Sequence, residues 1–159
     1  MRRLLILSSA ILTVAACTKT ETPAVDTGTA AVAAAPEPAP APAPVTEAQI
    51  AGTWSGVSMP NGSDTVVAHW TQVCAAGKCK GTSTEDKVTI NSTYTLAGDS
   101  AVGTAAPFTN AKMVKNGQIV DAWVVHFMGD SVTGTGRMTL ASKPDSVVMA
   151  YRIAGAKKK

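Results

Sequence analysis

The C-terminal part of the chain alternates between apolar and polar side chains in a way that predicts β-strands. Over 87–96 every second residue is apolar or Ser, and the residues between are Lys, Thr or Asn. Successive side chains of a strand point to opposite faces, so this period of two gives each strand one apolar face. The inward residues predicted in this way are Val88, Ile90, Tyr94 and Leu96, then Val132, Gly134, Gly136, Met138 and Leu140, and finally Val147, Met149, Tyr151 and Ile153.

Turn residues such as Asn116-Gly117 and Gly129-Asp130 divide this part of the chain into eight segments. Two of the eight are apolar at both parities, so the pattern does not decide which of their faces is buried. Consecutive short antiparallel strands close most simply into an up-and-down barrel, which leaves no exposed edge. We therefore predict an all-β fold with a single antiparallel barrel. Its strands are predicted near 52–58, 65–74, 79–84, 87–96, 100–106, 117–128, 131–140 and 146–153.

Composition supports this prediction and bounds the domain. The segment 47–155 contains 13 Val and 13 Thr but only two Leu, and β-branched residues favour strands over helices. All seven aromatic residues lie beyond residue 50, so the packed core belongs to this segment. Residues 156–159 form a basic tail, which we interpret as solvated, with contact to anionic head groups as the alternative.

The first predicted strand begins with Gly52-Thr53-Trp54. A Gly-x-Trp sequence at the start of an eight-stranded meander resembles the lipocalin and avidin-like barrels. In lipocalins the Trp closes the barrel floor, and an Arg from near the end of the barrel packs over it. The resemblance implies that Arg152 or Arg137 packs over Trp54, and that the barrel interior is a place for a small ligand.

The N-terminus predicts export. Arg2 and Arg3 precede an apolar stretch that extends to Ala16, which is the n-region and h-region of a secretory signal peptide. The stretch is shorter than the roughly 20 apolar residues that span a bilayer. We therefore predict a signal peptide over 1–16.

The signal ends in Val14-Ala15-Ala16-Cys17, which resembles the lipobox of bacterial lipoproteins. The resemblance implies cleavage before Cys17, lipid on that cysteine, and a membrane as partner through the lipid. Thr18 stands where inner-membrane lipoproteins of that family often have Asp, so the resemblance implies the outer membrane, with the domain in the periplasm or on the cell surface. The alternative is an ordinary cleaved signal followed by a chance cysteine.

Residues 17–46 connect the lipid to the barrel. They contain six of the nine prolines, nine alanines and no aromatic residue, a composition typical of an extended, disordered linker. A plain spacer is favoured over a ligand for a proline-binding domain, because the Pro-Ala alternation has no basic flanks.

Cysteine count favours a disulfide between Cys74 and Cys79. If Cys17 bears lipid, these two are the remaining pair, and export permits their oxidation. A metal site that combines both thiolates with His69 is the rival interpretation, and it lacks a fourth ligand at useful spacing. A catalytic redox pair normally has two intervening residues rather than four. We predict no metal and no cofactor beyond the covalent lipid.

Charge and motifs exclude several functions. Without Arg2 and Arg3 the chain has 12 basic residues against 11 acidic ones, which gives no reason to expect nucleic-acid binding. Signatures of nucleophilic, metal-dependent or phosphate-binding enzymes are absent from the sequence, so no catalytic residue is predicted. Asp121 stands out within an apolar strand, either as an outward, solvated residue or as a polar anchor inside a cavity.

Two functions remain. The favoured one is a tethered, non-catalytic module that binds a protein partner through its surface, with a mainly filled core. The alternative is a carrier of a small hydrophobic ligand, with aromatic and polar residues lining the barrel interior. The candidate ligand-binding residues are Trp54, Trp70, Tyr94 and Tyr151, with Ser92 and Gln72 as accompanying polar groups.

Overall fold

A computed structural model describes residues 42–159; the predicted signal peptide, Cys17 and the linker up to residue 41 lie outside the described residues. A one-turn helix precedes eight strands that form a closed antiparallel barrel in sequence order. The predicted fold class is therefore confirmed. The elements are α1 (Glu47–Ile50), β1 (Gly52–Pro60), β2 (Ala68–Ala75), β3 (Lys78–Ser83), β4 (Thr89–Ala97), β5 (Ser100–Ala105), β6 (Ile119–Met128), β7 (Ser131–Leu140) and β8 (Lys143–Lys157).

Most strand bounds lie within two residues of the predicted ones, and β2 and β8 differ most. β2 begins at Ala68 rather than at 65, and β6 begins at Ile119 rather than at 117. β8 is much longer than predicted, because it pairs with β7 on one side and with β1 on the other, as far as Lys157. The first two residues of the predicted basic tail are thus part of a strand.

Pairing also decides the faces that the alternation left open. On β2 the residues facing the interior are Ala68, Trp70, Gln72 and Cys74, while His69 and Val73 are exposed. On β6 the buried or partly buried series runs from Ile119 through Asp121 to Phe127. Asp121 therefore points inward, which is the second of the two interpretations that its sequence context allowed.

Two predicted inward residues are wrong. Val147 is 50% exposed, because a bulge at Val148 shifts the register between β7 and β8 so that Thr139 pairs with Val147 and Met138 with Met149. Leu96 is 43% exposed; it lies next to the last residue of β4, at the rim of the barrel.

One end of the barrel is closed by the segment before β1. The indole nitrogen of Trp54, a side chain that is only 1% exposed, donates a hydrogen bond to the Ile50 carbonyl at 2.7 Å. The Trp54 ring makes an edge contact with Phe127. Lys157 Nζ lies 5.6 Å from the Trp54 ring and donates to the Gln49 carbonyl at 2.9 Å. We call this end the floor.

The residue over Trp54 is thus Lys157, and the expectation of Arg152 or Arg137 is wrong. Both arginines are exposed on the outer surface. The Arg152 guanidinium contacts Asp64 Oδ1 at 2.7 Å. Parity explains the difference, since Arg152 follows the inward Tyr151, and only the unpredicted extension of β8 brings a cation back to the floor.

Candidate functional site

The barrel interior contains a cavity of about 250 Å³ that is lined by residues of all eight strands. It begins at the floor and reaches the loops at the opposite end, which we call the mouth. The interior is therefore less completely filled than the sequence suggested. Its aromatic lining residues are Trp54, Trp70, Phe108, Trp123, Phe127 and Tyr151.

Glycines explain why six aromatic residues leave room. Trp123 lies directly opposite Gly103 on β5, and a Cβ atom on that glycine would meet the indole ring at 2.1 Å. Tyr151 lies opposite Gly136 in the same way, with the phenol ring 2.2 Å from the position of a Cβ. Each ring lies flat against the wall, over a residue without a side chain, instead of crossing the lumen.

Trp70 follows the same rule at a third position. It pairs with Gly56 on β1, and its ring also covers Gly155 of β8, the next strand. A Cβ at either glycine would come within 2.7 Å of the indole. These three arrangements, which we call the glycine–aromatic pairs, keep the centre of the barrel free.

Asp121 is the buried ionisable residue of the cavity wall. Asp121 is only 5% exposed, and its Oδ2 accepts a hydrogen bond from the Tyr151 hydroxyl at 2.7 Å. Its Oδ1 is buried and has no hydrogen-bond partner among residues 42–159. Buried polar atoms in proteins are normally paired, so an orphan carboxylate oxygen in a cavity calls for an explanation.

Burial determines the ionisation of this pair. Removal from water raises the pKa of Asp121 to about 7, although the hydrogen bond from Tyr151 lowers it in part. Burial, and then the neighbouring carboxylate, raise the pKa of Tyr151 well above its ordinary value. Tyr151 therefore stays protonated and donates, whereas Asp121 changes charge near neutral pH.

The structure brings three of the four predicted ligand-binding residues to the cavity. Trp54, Trp70 and Tyr151 line it, together with the predicted polar residues Gln72 and Ser92. The fourth, Tyr94, lies outside the lining.

The Tyr94 hydroxyl donates instead to Glu47 Oε1 at 2.6 Å, which ties β4 to α1 at the floor. Burial and the Glu47 hydrogen bond raise the pKa of Tyr94 to about 12. Whether any of the four binds a ligand remains a prediction.

Two of the loops at the mouth are tied to each other. Asp86, in the β3–β4 loop, accepts a hydrogen bond from Asn110 Nδ2 at 2.8 Å and pairs with Lys112 Nζ at 2.9 Å. These two contacts lower the pKa of Asp86, with the Lys112 contact the stronger cause. The β5–β6 loop that carries Asn110 and Lys112 also places Phe108 and Met113 in the cavity lining.

Cys74 and Cys79 form a disulfide, as predicted, between directly paired positions of β2 and β3. The rival metal site does not form, because His69 lies on the outer face and its Nδ1 is 2.6 Å from Glu85 Oε1. Within residues 42–159 no group of three or more metal-ligating side chains comes together.

A Ser, a His and an Asp do meet outside the barrel, at the β4–β5 turn. Ser100 Oγ lies 2.8 Å from His126 Nδ1 and donates to Asp99 Oδ1 at 2.6 Å, while Asp99 is 3.4 Å from the same ring nitrogen. In a nucleophilic triad the two partners occupy opposite nitrogens of the ring. Here both contact Nδ1, and the hydroxyl proton points to the carboxylate, so the geometry of a triad is not met.

Sequence reasoning missed most of the mouth. Phe108, Asn110 and Met113 lie in a loop without periodicity, which joins the barrel through the bridge between Phe108 and Ile119 and through contacts with the β3–β4 loop. Asp121 was detectable as a charge within an apolar strand. Its partner Tyr151 is 30 residues away along the chain, and no local pattern connects the two.

No protein-family model matches this chain, and neither a search of curated proteins nor a search of solved structures found a match. Over residues 42–159, no helix is long and apolar enough to cross a membrane.

Proposed function

We propose that this protein binds a small, mainly apolar molecule inside its barrel, without catalysis, and that lipid on Cys17 tethers the barrel to a bacterial membrane. The proposal that the barrel binds a ligand rests on the aromatic cavity of about 250 Å³. An apolar cavity of about 150 Å³ is large enough for benzene, so a one-ring or two-ring molecule fits the volume.

The cavity favours this function over the surface-interaction module. On the described outer face, the exposed large aliphatic side chains are spread over five strands and the β1–β2 loop. Only Val102 and Val124 among them lie directly opposite each other on neighbouring strands. A patch of that size is ordinary for a monomeric protein. Docking to a protein partner therefore remains the second function, with less to support it.

The tether half rests on Val14-Ala15-Ala16-Cys17 and on the Pro/Ala-rich segment that follows. In the described chain, the backbone nitrogen of Val45 donates to the Gly98 carbonyl at 2.8 Å, and Val45 is 6% exposed. The chain thus joins the barrel at the floor. This end of the barrel is opposite the mouth, and Thr18 directs the proposal to the outer membrane.

A size series tests the binding half. Benzene and naphthalene should quench or shift the Trp fluorescence of the full chain and raise its melting temperature, whereas pyrene should do neither. Ala101→Leu should abolish the effect, because Ala101 is fully buried and lines the cavity. The matched control is Ala122→Leu, an exposed position on β6. Equal responses of the two variants, or no response to any probe, would contradict the proposal.

Cells that express Cys17→Ala test the tether. The wild-type protein should partition into the detergent phase and label with palmitate, and the variant should do neither. Detergent partitioning of the variant would show that attachment does not depend on this cysteine.

A further inference from the structure

Asp121, Trp123 and Tyr151 form one continuous patch of the cavity wall. Gly136 on β7 pairs with Trp123 on one side and with Tyr151 on the other; the Tyr151 ring covers Gly136, and the Trp123 ring covers Gly103 of β5. Asp121 is two residues from Trp123 on the same face of β6, and its Oδ2 accepts the Tyr151 hydrogen bond. A buried carboxylate therefore contacts the Tyr151 hydroxyl within an aromatic cavity wall, with one oxygen unpartnered among residues 42–159.

The charged side chains that line the described cavity are all acidic. Its ionisable acids are Asp86 and Asp121, and it contains no Lys, Arg or His. Lys112 compensates Asp86 at the mouth. Among residues 42–159 no Lys, Arg or His faces Asp121, and Tyr151 is the titratable group in contact with it. A buried charge without a partner is costly, and a bound cation relieves that cost.

We propose that the polar end of the ligand is a protonated amine that pairs with the carboxylate of Asp121, while its apolar body lies among the aromatic rings. This inference rests on the proposed binding function and specifies its ligand class as small arylalkyl amines. The aromatic faces favour the same charge, since a cation over an aromatic ring is attracted by the negative face of the ring. A carboxylate ligand, by contrast, meets repulsion at Asp121.

Three probes of one size test the inference: 2-phenylethylamine, 2-phenylethanol and phenylacetate. Isothermal titration of the full chain at pH 8 should rank the amine first, about 10- to 100-fold tighter than the alcohol, as for a hydrogen bond to a charged group. Phenylacetate should bind weakest. Between pH 5.5 and 8 the amine should bind about 10- to 30-fold tighter, because its own pKa stays near that of Lys while Asp121 ionises.

Asp121→Asn should reduce the preference for amine over alcohol to about one, and should remove its pH dependence. The control Asp145→Asn changes an exposed acid of β8 and should leave the preference intact. Equal affinity of wild type for amine and alcohol, or tightest binding of phenylacetate, overturns the amine assignment but leaves the proposed function standing. Failure of all three probes, while benzene and naphthalene bind, overturns the amine assignment alone; failure of all five probes overturns both.

Discussion

The stability of the protein should fall as pH rises through the range where Asp121 ionises. In the native state the pKa of Asp121 is raised from 3.8 to about 7, so between these values the native state holds a proton that the unfolded chain has lost. Native stability must then decrease with pH in this interval. It should be constant with respect to this group below about pH 3.5 and above about pH 8.

The magnitude follows from the size of the shift. One pKa unit corresponds to 1.36 kcal/mol, so the ionised carboxylate destabilises the folded state by about 4 kcal/mol at pH 8, as an order of magnitude. Asp121→Asn removes the charge but keeps the shape. The variant should match the wild type near pH 4 and exceed its free energy of unfolding by about 1 to 4 kcal/mol at pH 8.

Urea denaturation followed by Trp fluorescence at pH 4, 5, 6, 7 and 8 measures this difference. Other groups titrate in the same range, so the informative quantity is the difference between variant and wild type at each pH. Asp145→Asn, an exposed acid, serves as control and should give a difference near zero throughout. A difference for Asp121→Asn that is independent of pH, or a variant less stable than wild type at pH 8, would refute the reasoning.

Two further predictions concern the wall and the mouth. Gly103→Ala should destabilise the protein by about 1 to 3 kcal/mol, because the new methyl overlaps the Trp123 ring. The control Gly81→Ala should destabilise it less, because the atom nearest to the new methyl lies 3.3 Å away. An equal decrease of the urea midpoint in both variants would contradict this explanation. Lys112→Met should speed release of naphthalene in stopped-flow fluorescence, because it removes one of the two contacts that tie the β5–β6 loop to Asp86. Stability should change by less than about 1 kcal/mol. An unchanged release rate would show that the Lys112 contact does not hold the mouth.

The barrel could be predicted from the sequence because most strands alternate clearly between apolar and polar residues and are separated by recognisable turns. On β7 the alternation is clean, and Val132, Gly136 and Met138 face the interior as expected. On β8 the same reasoning failed at Val147, because a bulge adds a residue that no local pattern marks. On β2 both parities are apolar, and only pairing with β1 and β3 decides which face is buried.

The site was less predictable than the fold, because it depends on contacts between residues that are far apart in the sequence. Tyr151 was identifiable as a large aromatic residue of inward parity, whereas Trp54 and Trp70 were candidates as aromatic residues whose faces the alternation did not decide. Tyr94 has that parity too, but its hydroxyl is bound by Glu47, which is 47 residues earlier in the chain. The mouth depends on contacts between loops, such as Asn110 with Asp86, which alternation cannot encode.

The glycine–aromatic pairs have a consequence for how this barrel can evolve. Gly56, Gly103 and Gly136 are not themselves among the cavity-lining residues, yet each sets how far a lining ring extends into the lumen. A single methyl on the wall moves a whole indole or phenol toward the centre. The size of the cavity can therefore drift through mutations at positions that do not line it. Comparison of lining residues alone would then assign one interior to barrels of different volume.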